Sequence, residues 1–263
     1  MAIKDFEILI HLISLDHKKS ESNPQKVLSI NVLPTWNLLD SFSKQGLKKF
    51  IYFSTFQIYG NPIGRMIKVG DLPIPQNMYG LSHYLSEIIT DYYNYKTDTE
   101  CTNIRLSNSF GAPVFHENNC WWLAVNDMIK MAFNNKQINL LSDGTPQRDF
   151  IHIEDICNSI EVIINSDMTK HHNTMNIASG RTFTIFEFAL KIKNVYKKLY
   201  NIDIPIFQND NSLLIENNFP LPKDKYCVDI SDLIAMGYTP KNDFEESIEK
   251  TFVYLENSNK YIK

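Results

Sequence analysis

The chain has 263 residues, 43% of them hydrophobic and 21% charged, which is enough to bury a full core as one large domain or two interleaved ones. Its formal net charge of −4 at pH 7 and the lack of a clustered Lys/Arg stripe exclude a nucleic-acid binder. No apolar run reaches transmembrane length, and Met1-Ala-Ile-Lys-Asp lacks a secretory core. The four cysteines, Cys101, Cys120, Cys157 and Cys227, are far apart and form no metal-type pairs, so they read as reduced thiols of a cytoplasmic protein.

In chain order, residues 6–14 form a short apolar run of β type and predict a buried strand. Asn23-Pro24 reads as an N-cap followed by proline at the first helical position. The helix so opened is expected to reach about Lys44 and to stop at Gly46, with Pro34 as an internal kink. Residues 48–54 predict the next strand. A Pro/Gly-rich loop over 61–76 leads to a strongly amphipathic helix over 77–95. A strand at 102–107 and a helix at 119–135 follow.

Strands are expected again at 137–141 and 149–153, separated by the Ser142-Asp143-Gly144 turn. Then come a helix at 154–165, a strand at 174–178 and a helix at 184–200, opened by the Thr184/Glu187 capping box. The tail predicts short strands near 202–207 and 225–228 and a closing helix at 244–255. Strand and helix alternate over the first two-thirds, which implies a parallel sheet with helices on both faces, an α/β fold. No separate metal centre is expected. His171-His172 reads as a polar turn, and His116, Glu117 and Cys120 match no standard ligand spacing.

Two motifs carry the functional reading. Residues 50–60 read Phe-Ile-Tyr-Phe-Ser-Thr-Phe-Gln-Ile-Tyr-Gly, which places Thr55 just past a buried strand, at the sheet edge where parallel α/β proteins bind ligands. Tyr79 and His83 are four apart on one helix face, so both can aim into one site. Together these stretches resemble the active-site strand and helix of the extended short-chain dehydrogenases/reductases, the NAD-dependent nucleotide-sugar epimerases and dehydratases. The helix motif of that family is Tyr-x-x-x-Lys, and here the lysine position holds His83. The family's lysine ammonium lowers the tyrosine pKa and holds the nicotinamide ribose. A histidine is shorter and mostly neutral at pH 7.

The resemblance runs from residue 5 to the tail. The 5–15 strand, with His11, resembles the family's fourth strand. Ile30-Asn31-Val32 and Thr35 resemble a helix motif in which Pro34 replaces glycine. Arg105 to Gly111 resembles Arg-x-x-Asn-x-Tyr-Gly, whose asparagine contacts the substrate diphosphate, so Asn108 takes that role. Gly144 to Asp155 resembles the stretch whose arginine pairs with the diphosphate, and this gives Arg148, whose guanidinium fork suits phosphate oxygens. The resemblance also implies cofactor contacts from His11, Ser54, Tyr79 and His83.

By this resemblance the expected fold is a truncated Rossmann-type sheet with a smaller C-terminal substrate lobe. Residues 1–111, with 148–180 returning to them, would form the dinucleotide half, and 112–263 mainly the substrate half. The family's opening Gly-x-x-Gly-x-x-Gly loop does not occur among the nine glycines, so the first strand is expected to have an open edge and NAD(P) binding to suffer. Phe56-Gln57 stands where sugar 4,6-dehydratases carry Asp-Glu, which disfavours dehydration. A second arginine usual in the tail is Leu221, ahead of Pro222-Lys223-Asp224, with Lys223 as a candidate substitute.

The implied activity is a UDP-glucose-4-epimerase-like exchange through a keto sugar. Thr55 would hold the sugar oxygen and Tyr79 would move its proton, with His83 in the lysine's place. Alternatives are a catalytically impaired member that only binds a sugar nucleotide or a partner subunit, and an NAD(P)-dependent keto-sugar reductase. A homodimer through a four-helix interface is expected from helices 23–44 and 77–95, with Val27, Ile30 and Leu38 as the apolar stripe of the first and Tyr84, Ile88 and Tyr92 as that of the second. A second polypeptide supplying the glycine-rich segment is the other partner expectation.

Overall fold

The structure is a computed structural model that describes residues 6–62, 64–115, 118, 120–166, 173–209, 212–215, 219, 224–241 and 243–261. Its strands are β1 (Ile8–His11), β2 (Lys49–Thr55), β3 (Met66–Ile67), β4 (Glu100–Leu106), β5 (Asn108–Phe110), β6 (Ile138–Asn139), β7 (Gln147–His152), β8 (Thr174–Ile177), β9 (Thr182–Thr184), β10 (Ile206–Phe207) and β11 (Cys227–Val228). Its helices are α1 (His17–Ser22), α2 (Pro24–Val27), α3 (Leu33–Phe42), α4 (Met78–Lys96), α5 (Ala124–Asn135), α6 (Ile153–Asn165), α7 (Ile185–Tyr200), α8 (Ser231–Ala235) and α9 (Phe244–Tyr261). No described helix is long and apolar enough to cross a membrane.

The chain divides into two compact units. Unit 1 holds residues 1–107, 158–178 and 228–239, and unit 2 holds 108–157, 179–227 and 240–263. The return segment expected at 148–180 thus gives 158–178 to unit 1, and 228–239 joins it as well. That last stretch is anchored by Asp229 N donating to Ile67 O at 2.8 Å. This contact could not be read from the short apolar stretches alone.

Unit 1 is built on a four-stranded parallel sheet in the order β1-β2-β4-β8. Ile10 lies opposite Ile51, and Ile51 opposite Thr102. This is the expected α/β class, a parallel sheet with helices on both faces. Leu39, Leu47, Phe50, Tyr52, Tyr93 and Cys101 form a buried cluster between the sheet and α3/α4. β1 pairs with β2 alone among the described strands, and Ile10, Leu12 and Ile13 are exposed along and beyond it.

The single helix expected over 23–44 is not formed. Asp16 caps a separate α1, Asn23 caps α2, and a π-helical turn at Leu28–Val32 precedes α3. Pro34 has no N–H for the carbonyl four residues back, and the wide turn, closed by Leu33 N to Leu28 O, absorbs that loss without ending the helical path. Gly46 does stop the segment, with φ of +87°.

In unit 2, β5 runs parallel to β7 and β9 antiparallel to it, while β6 and β10 form a separate parallel pair. Phe110, Phe150, Phe188, Ile192, Ile248 and Phe252 belong to its core, packed among α5, α7 and α9. The Thr184/Glu187 capping box forms as expected. Trp121, which lies before α5 and not inside it as expected, packs against this core.

Candidate functional site

The end of β2 is shaped by two close approaches. Thr55 Oγ1 accepts from Gln57 N at 3.2 Å and so caps a 3₁₀ turn over Phe56–Tyr59. Gly60 closes that turn with φ of +70°, and a Cβ there would lie 2.7 Å from Ile74 O. The first turn of α4 presses on the same segment: a Cβ on Gly80 would lie 2.9 Å from Gln57 O. Asn77 caps α4, accepting from Gly80 N at 2.7 Å and donating to Gln57 Oε1 at 2.9 Å. Gly80 therefore lets α4 lie against the turn that follows β2, Gly60 lets the 74–76 loop approach the same turn, and Tyr79 comes to lie beside Thr55.

The hydroxyls of Thr55 and Ser14 lie beside the Tyr79 phenol, close enough to favour its ionised form. Burial nevertheless holds the Tyr79 pKa above the ordinary phenol value, with Asp16 adding to the rise and the two hydroxyls opposing it. Ser14 was not singled out from the sequence. Its neighbour Leu15 is fixed by Asn31, a fully buried residue of the π-helical turn, whose Oδ1 accepts from Leu15 N at 2.7 Å. Asn31 Nδ2 donates to Ser82 Oγ at 3.0 Å, and Ser86 Oγ donates to Asn31 O at 3.0 Å. The Ile-Asn-Val stretch thus ties the loop after β1 to α4, beside Tyr79.

His83 is buried beneath this group, at 3% exposure. Its Nδ1 lies 2.8 Å from the Tyr52 hydroxyl, and its ring meets that of Tyr79 edge-on at 4.5 Å between centroids. Burial pushes the His83 pKa down to about 4, and nearby His11 pushes the same way. The imidazole is therefore neutral at pH 7, and no cation stands at the lysine position. Its Nε2 has no hydrogen-bond partner, while the Phe53 backbone near the ring favours the protonated form. His11, 2% exposed, also has an unpartnered Nε2, and its ring lies 5.6 Å from that of Tyr52.

One turn further along α4, Glu87 accepts from Ser54 Oγ and from Arg105, with Arg105 Nη2 at 2.8 Å and Nε at 3.2 Å. Both members of this ion pair are buried. Arg105 Nη1 donates to Tyr59 O at the hydroxyl, 2.9 Å, and to Val69 O at 2.8 Å. Tyr59 in turn donates to Asn176 Oδ1 at 2.9 Å, and Asn176 Nδ2 to Asp229 O at 3.2 Å. The pairs Tyr52–His83 and Ser54–Glu87 share one geometry, since two residues along a strand advance about 6.6 Å and four along a helix about 6 Å. That matched spacing is the signal by which Tyr52 could have been found.

Thr55, Tyr79, His83, His11 and Ser54 are thus gathered in unit 1. Asn108 and Arg148 belong to unit 2. Asn108 Nδ2 donates to Asp149 O at 3.0 Å, and Arg148 is exposed with Nη1 donating to Gln147 O at 2.7 Å. The fully buried Asp149 carboxylate accepts from Ser179 N, Ser179 Oγ and Arg181 N at 2.9–3.0 Å, which fixes the end of β7 next to Arg148. Residues 221–223 in the tail, with Lys223, lie outside the described residues, as do His116, Glu117, His171 and His172. Among the described residues no three His, Cys, Asp or Glu side chains gather as a metal site.

A family model described as the NAD dependent epimerase/dehydratase family matches residues 1–178. The chain is 25% identical to the dTDP-D-glucose 4,6-dehydratase of Dictyostelium discoideum, over 97% of its own length and 65% of that protein's. It is 24% identical to a trifunctional UDP-glucose 4,6-dehydratase/UDP-4-keto-6-deoxy-D-glucose 3,5-epimerase/UDP-4-keto-L-rhamnose-reductase of Arabidopsis thaliana, over 97% of this chain and 37% of that one. It spans less than two thirds of either relative. Its fold is similar to that of UDP-N-acetylglucosamine 4-epimerase from Methanobrevibacter ruminantium M1, solved in complex with UDP-N-acetylmuramic acid, with a TM-score of 0.80 at 22% identity, covering 97% of this chain and 78% of that one.

Proposed function

Because this chain belongs to the NAD dependent epimerase/dehydratase family, we propose that it acts on a nucleotide sugar, at a carbon whose hydroxyl and carbonyl forms interconvert, as an epimerase working through a keto sugar. The observation that carries this reading is the Thr55–Tyr79 hydroxyl pair at the C-terminal end of β2. Thr55 donates a hydrogen bond to the sugar oxygen, and Tyr79 exchanges the proton of that oxygen. Asn108 and Arg148 hold the diphosphate. Dehydration is disfavoured, since Phe56 is buried and Gln57 is engaged by Asn77.

Hydride acceptance is the chemistry NAD supplies to such a site when bound. The buried, unpartnered Nε2 atoms of His83 and His11 fit the hydroxyls of its nicotinamide ribose, beside Tyr79. Ser54 has its proton committed to Glu87 and keeps oxygen lone pairs for a ligand donor. The cytoplasm, where its four free cysteines stay reduced, is the compartment we assign.

The absence of a cation among the groups that act on Tyr79 favours a second reading. Without an ammonium beside it the phenol is a poor base, so the chain would bind sugar nucleotides and turn them over slowly, or serve as a keto-sugar reductase in which the phenol only donates. Incubation with UDP-glucose and NAD, followed by proton NMR of the anomeric region, tests turnover. Saturation-transfer NMR on the same sample tests binding. Thr55→Val and Tyr79→Phe should each abolish turnover and keep binding, whereas Arg148→Ala should weaken binding. No saturation transfer to any nucleotide sugar would overturn the proposal.

A further inference from the structure

Tyr52 has no part in the site as described so far, yet it is the sole side chain hydrogen-bonded to His83 among the described residues. It sits on β2 at 1% exposure, between the rings of His11 and His83 at 5.6 and 5.8 Å. A phenol so buried keeps its proton at every working pH, so its O–H can donate to the imidazole nitrogen 2.8 Å away. A donated Nδ1 must be the acceptor nitrogen of a neutral ring, which puts the ring proton on Nε2. The competing arrangement, Tyr52 donating to nearby Ser86 while His83 Nδ1–H donates to Tyr52, uses the weaker donor of the two, since a phenol O–H is more acidic than a neutral imidazole N–H.

We propose that Tyr52 is a positioning residue that locks His83 as the neutral Nε2–H tautomer, so that a fixed neutral ring, and no cation, stands beside the buried Tyr79 phenol, and the ligand oxygen the site takes best is a carbonyl oxygen. This rests on the nucleotide-sugar reading given above and assigns its substrate form. The groups facing the His83 ring are Tyr52 and the Phe53 carbonyl from β2, His11 from β1, and Tyr79 from its own helix. None is a cation at pH 7. Glu87 and Asp16, the carboxylates whose charges reach Tyr52 and Tyr79, both oppose phenolate formation. A protonated phenol donates to a keto oxygen without first losing its proton, whereas accepting the proton of a sugar hydroxyl requires that loss. The keto half of the exchange is therefore the favoured one.

Histidine-labelled protein and long-range proton–nitrogen NMR read the tautomer directly. The His83 ring should show a protonated Nε2 and a bare Nδ1 at pH 7. Tyr52→Phe should mix the tautomers, and a wild-type Nδ1–H ring would overturn the lock. Ultraviolet difference titration of wild type against Tyr79→Phe should place the Tyr79 midpoint above 10, and His83→Lys should lower it by one unit or more. A wild-type midpoint below 9 would overturn the phenol assignment. Saturation-transfer NMR should show UDP-4-keto-6-deoxyglucose binding at least tenfold tighter than UDP-glucose, and equal affinities would overturn the carbonyl preference. Binding of neither sugar refutes the nucleotide-sugar reading and the ligand half of this proposal with it, while the tautomer is judged by its own spectra.

Discussion

Acidification should destabilise this protein through His83, by an amount the structure sets. The folded-state pKa is about 4 because the ring is buried, against 6.5 for a free histidine. Between these values the unfolded chain binds the proton and the folded one does not, so stability is full above pH 6.5 and falls as pH drops toward 4. From pH 7.5 to pH 5 the loss is about 2 kcal/mol, from about 1.36 kcal/mol per pH unit over the ~1.5 units below 6.5. Urea unfolding followed by circular dichroism at the two pH values measures it. His83→Asn removes the titration while its Oδ1 can still accept from Tyr52, so the variant should lose about 2 kcal/mol less over the same interval. His11 and His152, also held low by burial, contribute to both proteins and leave the difference intact. Parallel pH dependences in wild type and variant would refute the reasoning.

Three further outcomes are expected. Arg105→Gln strands the buried Glu87 carboxylate and should cost roughly 3–5 kcal/mol in urea unfolding; a loss under 1 kcal/mol would mean the pair is wetter than its burial indicates. This 263-residue chain, with no Gly-x-x-Gly-x-x-Gly among its glycines, should bind NAD only weakly, and a calorimetric dissociation constant near 1 μM, about −8 kcal/mol, would contradict that. The exposed stripe of Leu33 and Trp36 on α3 with Ile88 and Tyr92 on α4, where Trp36 and Tyr92 stack at 6.2 Å, should pair two copies about a two-fold. Light scattering should give a dimer that Ile88→Glu converts to monomer; a wild-type monomer at all concentrations would dismiss this face.

The elements legible in the sequence were those with a strong period or a strong cap. The 77–95 segment carries both, with Asn77 at its start and a buried face of Ser82, His83, Ser86, Glu87 and Thr90, and the structure forms it as α4. The 23–44 segment misled because its caps are right and its interior is not. Asn23 and Gly46 delimit it, but Pro34 forces a π-helical turn. The exposed stripe of the first helix pair also differs from the expected one, and beyond Leu28 that turn is the reason. Val27, expected to face a partner, is fully buried, and Leu28, Leu33 and Trp36 face out. A 3.6-residue projection run through a five-residue π turn rotates every later position. β5 and β9 were missed for a simpler reason: three residues are too few for a period of two to register.

At the site, the motif showed which residues meet but not which state they are in. Thr55 and Tyr79 could be placed together from the family resemblance, and Gly80 is what lets the first turn of α4 close on the turn that follows Thr55. The state of His83 depends on Tyr52, which reads from sequence as one more aromatic of a buried strand. Its hydroxyl matters only because α4 advances along β2 at nearly the strand's own pace, so that each two-residue step on β2 meets a four-residue step on α4. The same coincidence pairs Ser54 with Glu87 and seats Arg105 beside them. Replacing a lysine by a histidine at such a position changes more than one charge. A lysine could carry its ammonium past Tyr52 on a flexible stem, whereas an imidazole is short, has a fixed second nitrogen, and is captured by the phenol beneath it. The chemistry of Tyr79 is then set by burial, by the Thr55 and Ser14 hydroxyls and by the Asp16 carboxylate, with no cation among them.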